Sequence, residues 1–295
     1  MSTTDFVLVL GSGKSILNLT QDEKQKLESC SVKLAVNKFS AFYDKSGITP
    51  THIYFEDRHD ISSVLMLKYI FKRFRKEKKN PTFIVSEFYK NLLFKNSCKF
   101  NFIKLKLKFK TYTNLFLVKL GRKTLKPISV NLFNKYVYLL AKVFITKPHV
   151  LYNLVSKGSE IQFIDIIHCE NKKKQWAKTL NDPLFHFKGS FSSVLNYISI
   201  CFPNKTILLV GVDFNSSDYF FEEELNKLDF KTSDWTYDLR KKHNKHYSVI
   251  QTDGVKMDDA MPFMLEKLKE TNNKIYSINE NSYLVEKGFV KKIDI

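Results

Sequence analysis

The chain has 295 residues, 43% of them hydrophobic and only 9 glycine, enough to bury a full core as one large domain or two small ones. Its formal net charge of +18 calls for an anionic partner or a solubility role, while low-complexity, repeat and collagen-like classes are excluded. No run approaches the roughly 18 uncharged apolar residues of a membrane span, and Met1 to Asp5 lacks the basic and apolar regions of a signal peptide.

The first predicted element is Phe6-Val-Leu-Val-Leu10, an apolar run expected as a strand buried on both faces. Gly11-Ser12-Gly13 then lets the backbone turn tightly and approach a ligand. Ser15 opens a segment, Ile16 to Leu27, expected to start as a helix whose free N–H groups face a phosphate. Val32 to Asn37 and Thr51 to Asp57 are the next strands, so Gly11, Asn37 and the Glu56-Asp57 pair gather at the carboxyl edge of a parallel sheet. A helix from Ser62 to Lys76 and a strand from Thr82 to Ser86 continue the alternation. Residues 90–150 are basic and aromatic without clear periodicity, and read as an insertion within one domain spanning 1–295.

Regularity returns with a strand from Glu160 to Asp165. The small-residue turn Gly189 to Ser193 precedes an apolar helix, Val194 to Cys201, and Lys205 to Phe214 reads as a buried strand presenting Gly211 and Asp213 at its end. Residues 215–255 are polar, charged and aromatic, and read as a lid. A helix from Met257 to Thr271, a strand from Lys274 to Ile278 and a turn at Asn279 to Ser282 close the chain. This alternation predicts an α/β fold with a doubly wound, mainly parallel sheet.

Cys30, Cys98, Cys169 and Cys201 are scattered without the CxxC spacing of a zinc site or a disulfide framework, so a reduced, cytoplasmic protein is expected. Much of the positive charge lies between Lys68 and Lys147, in Lys72 to Lys79 and in the alternating Lys104 to Lys110 run, interleaved with Phe and Tyr. Three readings compete for it: a solvated face, a surface for anionic lipid headgroups or an anionic glycan, and nucleic acid, although no recognised RNA- or DNA-binding motif accompanies the charge. Nucleic acid is disfavoured, because the small-residue turns lie outside the basic block.

Gly13-Lys14-Ser15 imitates a P-loop, but the glycine that a Walker A loop needs falls on Leu8. The dinucleotide pattern G-x-G-x-x-G fails too, since its third glycine falls on Ile16. A nucleotide-dependent phosphotransferase stays as an alternative, as does a non-enzymatic basic protein.

The strand-GSGKS start, the strand ending in Asn37, the Gly-Ser-x-Ser turn, Gly211-Val-Asp-Phe214, a tyrosine-bearing lid, His246-Tyr247 and the final Asn-x-x-Ser turn occur in one order. That order resembles the bacterial sialyltransferases of glycosyltransferase family 42 and related enzymes using CMP-activated sugar acids, most clearly over residues 6–57 and 186–285. The resemblance implies a single Rossmann-type, GT-A-like nucleotide domain with a lid, and no metal or cofactor beyond the CMP-sugar donor. It implies that Gly11, Ser12, Gly13 and Ser15 hold the donor phosphate and ribose region, and that Asn37 sits beside nucleotide and sugar. It further implies that Ser190 and Ser192 lie near cytidine and the sugar carboxylate, and Asp213 near ribose or cytosine.

Departures from the family pattern bear on catalysis. Asn215 stands where the family has a tyrosine, so a phosphate-contacting phenol must come from Tyr219 or be absent. Glu56 stands where it has an asparagine, and the position of its catalytic histidine falls on Ile250. His246 is the expected base, with the nearby His243 or a carboxylate as alternatives; Glu56, Asp57, Asp213, Glu222 and Glu223 keep a retaining route open. His52 and His168 read as structural, and Trp235 and Tyr237 as lid anchors or acceptor-stacking groups. The expectation is a glycosyltransferase moving a sialic acid or Kdo-like sugar acid from a CMP donor to a cell-surface glycan or lipid-linked saccharide. It would work in the cytoplasm, with peripheral contact to the anionic inner face of the cell membrane.

Overall fold

The computed structural model describes residues 6–57, 61–90, 154–170, 172–228, 230 and 236–295. The insertion expected at 90–150 lies outside them from residue 91 onward, with its Lys104 to Lys110 run, and so does Trp235. Strands β1 (Phe6–Leu10), β2 (Val32–Val36), β3 (His52–Phe55), β4 (Thr82–Ser86) and β5 (Ile161–Ile164) are followed by the short β6 (Ile166–His168) and β7 (Leu184–His186). Then come β8 (Thr206–Val210), β9 (Lys274–Ser277) and β10 (Lys291–Lys292). Eight of them form one sheet in the order β10-β9-β8-β1-β2-β3-β4-β5, and every pairing in it is parallel.

The described α-helices are α1 (Gln21–Glu28), α2 (Tyr43–Ser46), α3 (Ile61–Lys76), α4 (Ser190–Cys201), α5 (Glu222–Asn226), α6 (Tyr237–His243), α7 (Met261–Glu270) and α8 (Tyr283–Glu286). Because side chains alternate along a strand, β1 feeds two cores. Leu8 and Leu10 join Ile53, Phe55 and Phe83 against Met66, Ile70 and Phe74 of α3. Val7 and Val9 join Tyr54, Ile84 and Leu209 against Leu195 of α4 and Met264 of α7. The expected doubly wound parallel sheet is the architecture found.

Several boundaries differ for identifiable reasons. Lys14 to Asn18 form one 3-10 turn, and α1 starts only at Gln21. Thr20 caps it: its Oγ1 accepts from Glu23 N at 3.2 Å while its own N–H donates to Glu23 Oε2 at 2.7 Å. In the other direction, α4 begins at Ser190 rather than after Ser193, because Gly189 adopts a φ of +130° and the serines form the first turn. The two-stranded parallel sheet of β6 and β7, with His168 opposite His186, has no counterpart in the expectations; three-residue strands are too short for a periodic signal.

Residues 215–255 are partly core. Phe220 and Phe221 are buried, their rings 5.4 Å from Phe39 and 4.8 Å from Phe42. The guanidinium of buried Arg240 lies 4.2 Å from the Tyr219 ring centroid. Part of the Lys72 to Lys79 run is likewise structural, since Arg73 pairs with Asp44 at 3.0 Å and Lys79 donates to the Tyr43 hydroxyl at 2.7 Å. Among the described residues no helix is long and apolar enough to cross a membrane.

Candidate functional site

From β1 the chain runs outward through β2 to β5, and from β8 it runs the opposite way through β9 to β10. The loops after β1 and β8 therefore part at their carboxyl ends, which opens a crevice at the topological switch point. A cleft of about 620 Å³ occupies it.

The floor of the cleft is two loops pressed together. Gly11 N donates to Val210 O at 2.8 Å and Gly13 N to Gly211 O at 2.7 Å. A Cβ on Gly11 would sit 2.5 Å from Gly211 O, and one on Gly13 would sit 2.2 Å from Asp213 Oδ2. Asp213 binds this junction: its carboxylate accepts from Ser15 N at 2.9 Å, Ser15 Oγ at 2.5 Å and Asn279 Nδ2 at 2.9 Å. The free helix-start N–H groups expected around Ser15 are thus corrected, because the short 3-10 turn gives its Ser15 N–H to Asp213. Lys14 turns away to Asp218 at 2.7 Å, so a P-loop cradle lacks both its amides and its lysine.

Nine of the expected site residues line the cleft: Gly11, Ser12, Gly13, Asn37, Glu56, Ser190, Asp213, Tyr219 and His246. Three lie outside its lining. Ser15 is engaged by Asp213. Ser192 is fully buried, accepting from Phe187 N at 2.7 Å and donating to Gly189 O at 3.0 Å. Asn215 donates to Asn281 O. Of the remaining histidine alternatives, His243 is exposed at the end of α6, and Ile250 is buried.

Asn37 directly follows β2 with a φ of +51°, a left-handed conformation that asparagine tolerates. Its Oδ1 accepts from Glu56 N at 2.9 Å and its Nδ2 donates to Ser190 Oγ at 3.0 Å, while Ser190 Oγ donates to Glu56 O at 3.0 Å. Three elements distant in sequence are thereby tied into one wall. His246 donates its N–H to Phe214 O at 3.0 Å, and its Nδ1 accepts from Ser248 N at 3.3 Å. A neutral imidazole with Nδ1 accepting carries its proton on Nε2.

Several lining residues were not anticipated. His168, Glu170 and His186 line the cleft beside Glu56. His186 Nε2 lies 3.7 Å from Glu56 Oε2, and its Nδ1 lies 3.5 Å from Glu170 Oε1. His168 Nδ1 lies 3.8 Å from Glu170 Oε2, and Lys188 N donates to Glu170 Oε1 at 3.0 Å. Burial pushes the Glu56 carboxyl up, against the opposing pull of His186. Burial acts the same way on Glu170, but the facing His168 and His186 rings and the Lys188 N–H hold it far below the usual carboxylate range. His168-Cys-Glu170 just after an apolar pair, and His186 after Leu184-Phe185, were the available signals. The lining as a whole holds six carboxylates against two lysines and three histidines.

No family model matches the chain, and no curated protein matches it in sequence. Two solved structures are similar to it. A single-site variant of the sialyltransferase Cst-II in complex with CMP has a TM-score of 0.42 and 16% identity over 99% of this chain and 87% of that one. The monofunctional alpha-2,3-sialyltransferase Cst-I from Campylobacter jejuni has a TM-score of 0.38 and 12% identity over 97% of this chain and 80% of that one.

Proposed function

We propose that the protein is a glycosyltransferase that moves a sugar acid, sialic acid or Kdo-like, from a CMP-activated donor to a cell-surface glycan or lipid-linked saccharide. One observation carries this reading. Residues scattered from Gly11 to His246, recognised in sequence by their order, converge on a single cleft at the switch point of a parallel sheet. The committed donors of the Gly13-Lys14-Ser15 loop disfavour the phosphotransferase alternative.

In this reading the donor's phosphate lies beside Ser12 and Tyr219, which supplies the phenol that Asn215 does not, because the Gly11 and Gly13 N–H groups are already given to Val210 O and Gly211 O. His246 offers its Nε2–H to the departing phosphate. Glu56 takes the proton of the acceptor hydroxyl, whose oxygen bonds to the anomeric carbon as CMP leaves with the electrons of the broken C–O bond. Asp213 acts by holding the floor, since three donors already occupy its carboxylate. The positive charge of the chain suits peripheral contact with an anionic membrane at the cytoplasmic face, where lipid-linked acceptors are built.

CMP-sialic acid and CMP-Kdo turnover, followed as CMP release by chromatography, tests the proposal. Release from at least one donor that falls to background in Glu56→Gln is expected; no release from either donor, with or without saccharide acceptors, would overturn it. Binding to anionic but not neutral liposomes, weakening as salt rises, is the expected membrane behaviour.

A further inference from the structure

We propose that His168, Glu170 and His186 form a binding site for a divalent transition-metal ion of the zinc type on the wall of the cleft. Two imidazoles and one carboxylate are the donor set of a catalytic zinc site, three protein ligands with positions left open. The same set disfavours magnesium and calcium, which take oxygen ligands.

Geometry brings the three together without rearranging the backbone. The parallel pairing of β6 and β7 puts His168 directly opposite His186, with ring centroids 4.3 Å apart. The Glu170 carboxylate sits between the two Nδ1 atoms, at 3.8 Å and 3.5 Å. All three ligand atoms lie within 4.8 Å of one another. In a tetrahedral site with bonds of about 2.1 Å, ligand atoms stand roughly 3.4 Å apart, so a closure of at most about 1.4 Å by side-chain rotation completes it.

A second observation points to a missing partner. His186 is buried, and its Nδ1, 3.5 Å from Glu170 Oε1, keeps only an ion-pair contact too long for a hydrogen bond. A buried polar atom left unpaired is costly, and an ion between Nδ1 and the carboxylate satisfies it. The outer shell has the form that metal-bound histidines require. Glu56 Oε2 lies 3.7 Å from the other nitrogen of His186, and Lys188 N fixes Glu170 Oε1 at 3.0 Å. His168 is 62% exposed at its side chain, which leaves a route in from solvent.

Local charge gives the ion a role. In the cleft lining six carboxylates face two lysines and three histidines, an excess of negative charge that the Lys14–Asp218 and Lys38–Asp57 pairs reduce without removing. A divalent cation on this wall offsets that excess and leaves open coordination positions for an anionic oxygen. The inference rests on the cluster itself and not on the identity of the donor.

Its test therefore uses metal alone. Protein stripped with chelator and desalted is titrated with zinc chloride, and in parallel with magnesium chloride, by calorimetry, with metal content measured by mass spectrometry. One zinc ion per chain is expected, with magnesium markedly weaker. His168→Ala and Glu170→Gln should each weaken zinc binding by at least about tenfold, while His243→Ala, on the exposed end of α6, should leave it unchanged. Cobalt substitution should give a tetrahedral absorption band that His168→Ala alters. If Glu170→Gln fails to fold, the exposed His168→Ala variant decides. Absence of stoichiometric zinc, equal affinity for magnesium, or zinc affinity unchanged in His168→Ala would overturn the site, whatever the outcome with CMP-sugars.

Discussion

Replacing Gly13 with alanine isolates the contact on which the cleft floor depends. Gly13 has φ −71° and ψ 151°, an extended conformation in which alanine is unstrained, so any cost comes from space alone. The added Cβ would lie 2.2 Å from Asp213 Oδ2 and 2.8 Å from Gly211 O, and the carboxylate must move. Moving it breaks the bonds from Ser15 N and Ser15 Oγ, now 2.9 and 2.5 Å. Hydrogen bonds to a charged group contribute about 1.5–3 kcal/mol each, and the stiffer unfolded chain returns about 0.4–1 kcal/mol. A net loss of about 2–5 kcal/mol follows, a fall in Tm of roughly 4–10 °C for a chain of this size. Urea denaturation of the two single variants and the double variant gives the coupling. In an Asp213→Ala background the same Gly13→Ala change should cost about half as much or less, because only Gly211 O still crowds the methyl. Equal costs in both backgrounds would mean that the Gly13 methyl does not act through Asp213.

Asn196 is fully buried, and its side chain accepts from Ala177 N and Phe185 N and donates to Ala177 O. Asn196→Ala orphans three buried backbone groups and should lower stability by about 3–5 kcal/mol, measured by urea denaturation. Asp218 joins Lys14 and Lys241, whose hydrogen bonds hold its carboxyl well below the usual range. Its folded pKa is depressed, so its modest contribution is fully present above the unfolded value of about 3.9 and is lost as pH falls below that. The Tm difference between wild type and Asp218→Asn should therefore be visible at pH 7, shrink below pH 4 and weaken with salt. His246→Ala should lower the turnover of a CMP-sugar about 100-fold or more, with a fall in Tm of only a few degrees from loss of the Ser248 N cap.

The strands of the main sheet were legible because their residues report burial directly. Phe6 to Leu10 is apolar at every position, as a strand covered on both faces must be, and the ends at Gly11, Asn37 and Glu56 fall where the cleft opens. What Gly11 and Gly13 are for was only half visible: their missing side chains make room for Gly211 and Asp213, a contact between loops about 200 residues apart that no local pattern encodes. The start of α1 was marked by Thr20 and Glu23, a capping pair that outweighs the weaker opening at Ser15. Ser192 resembles a ligand-binding serine in sequence, yet it closes the first turn of α4. The histidine wall was hidden for a different reason. His168 and His186 acquire meaning only through the pairing of two three-residue strands, which carry too few residues for a hydrophobic period. Phe220 and Phe221, set in a polar and charged stretch, are buried by contacts with Phe39 and Phe42 from the far end of the chain.

The cleft at the switch point is proposed to take a cytidine monophosphate group, and ligand-induced stabilisation measures this directly. At a CMP concentration about 100 times its Kd, binding to the folded state alone adds about 2.7 kcal/mol, an upward shift of several degrees in Tm. That shift is expected with CMP, and a smaller one or none with UDP, GDP and ATP. No stabilisation by CMP, or equal stabilisation by all four nucleotides, would contradict it.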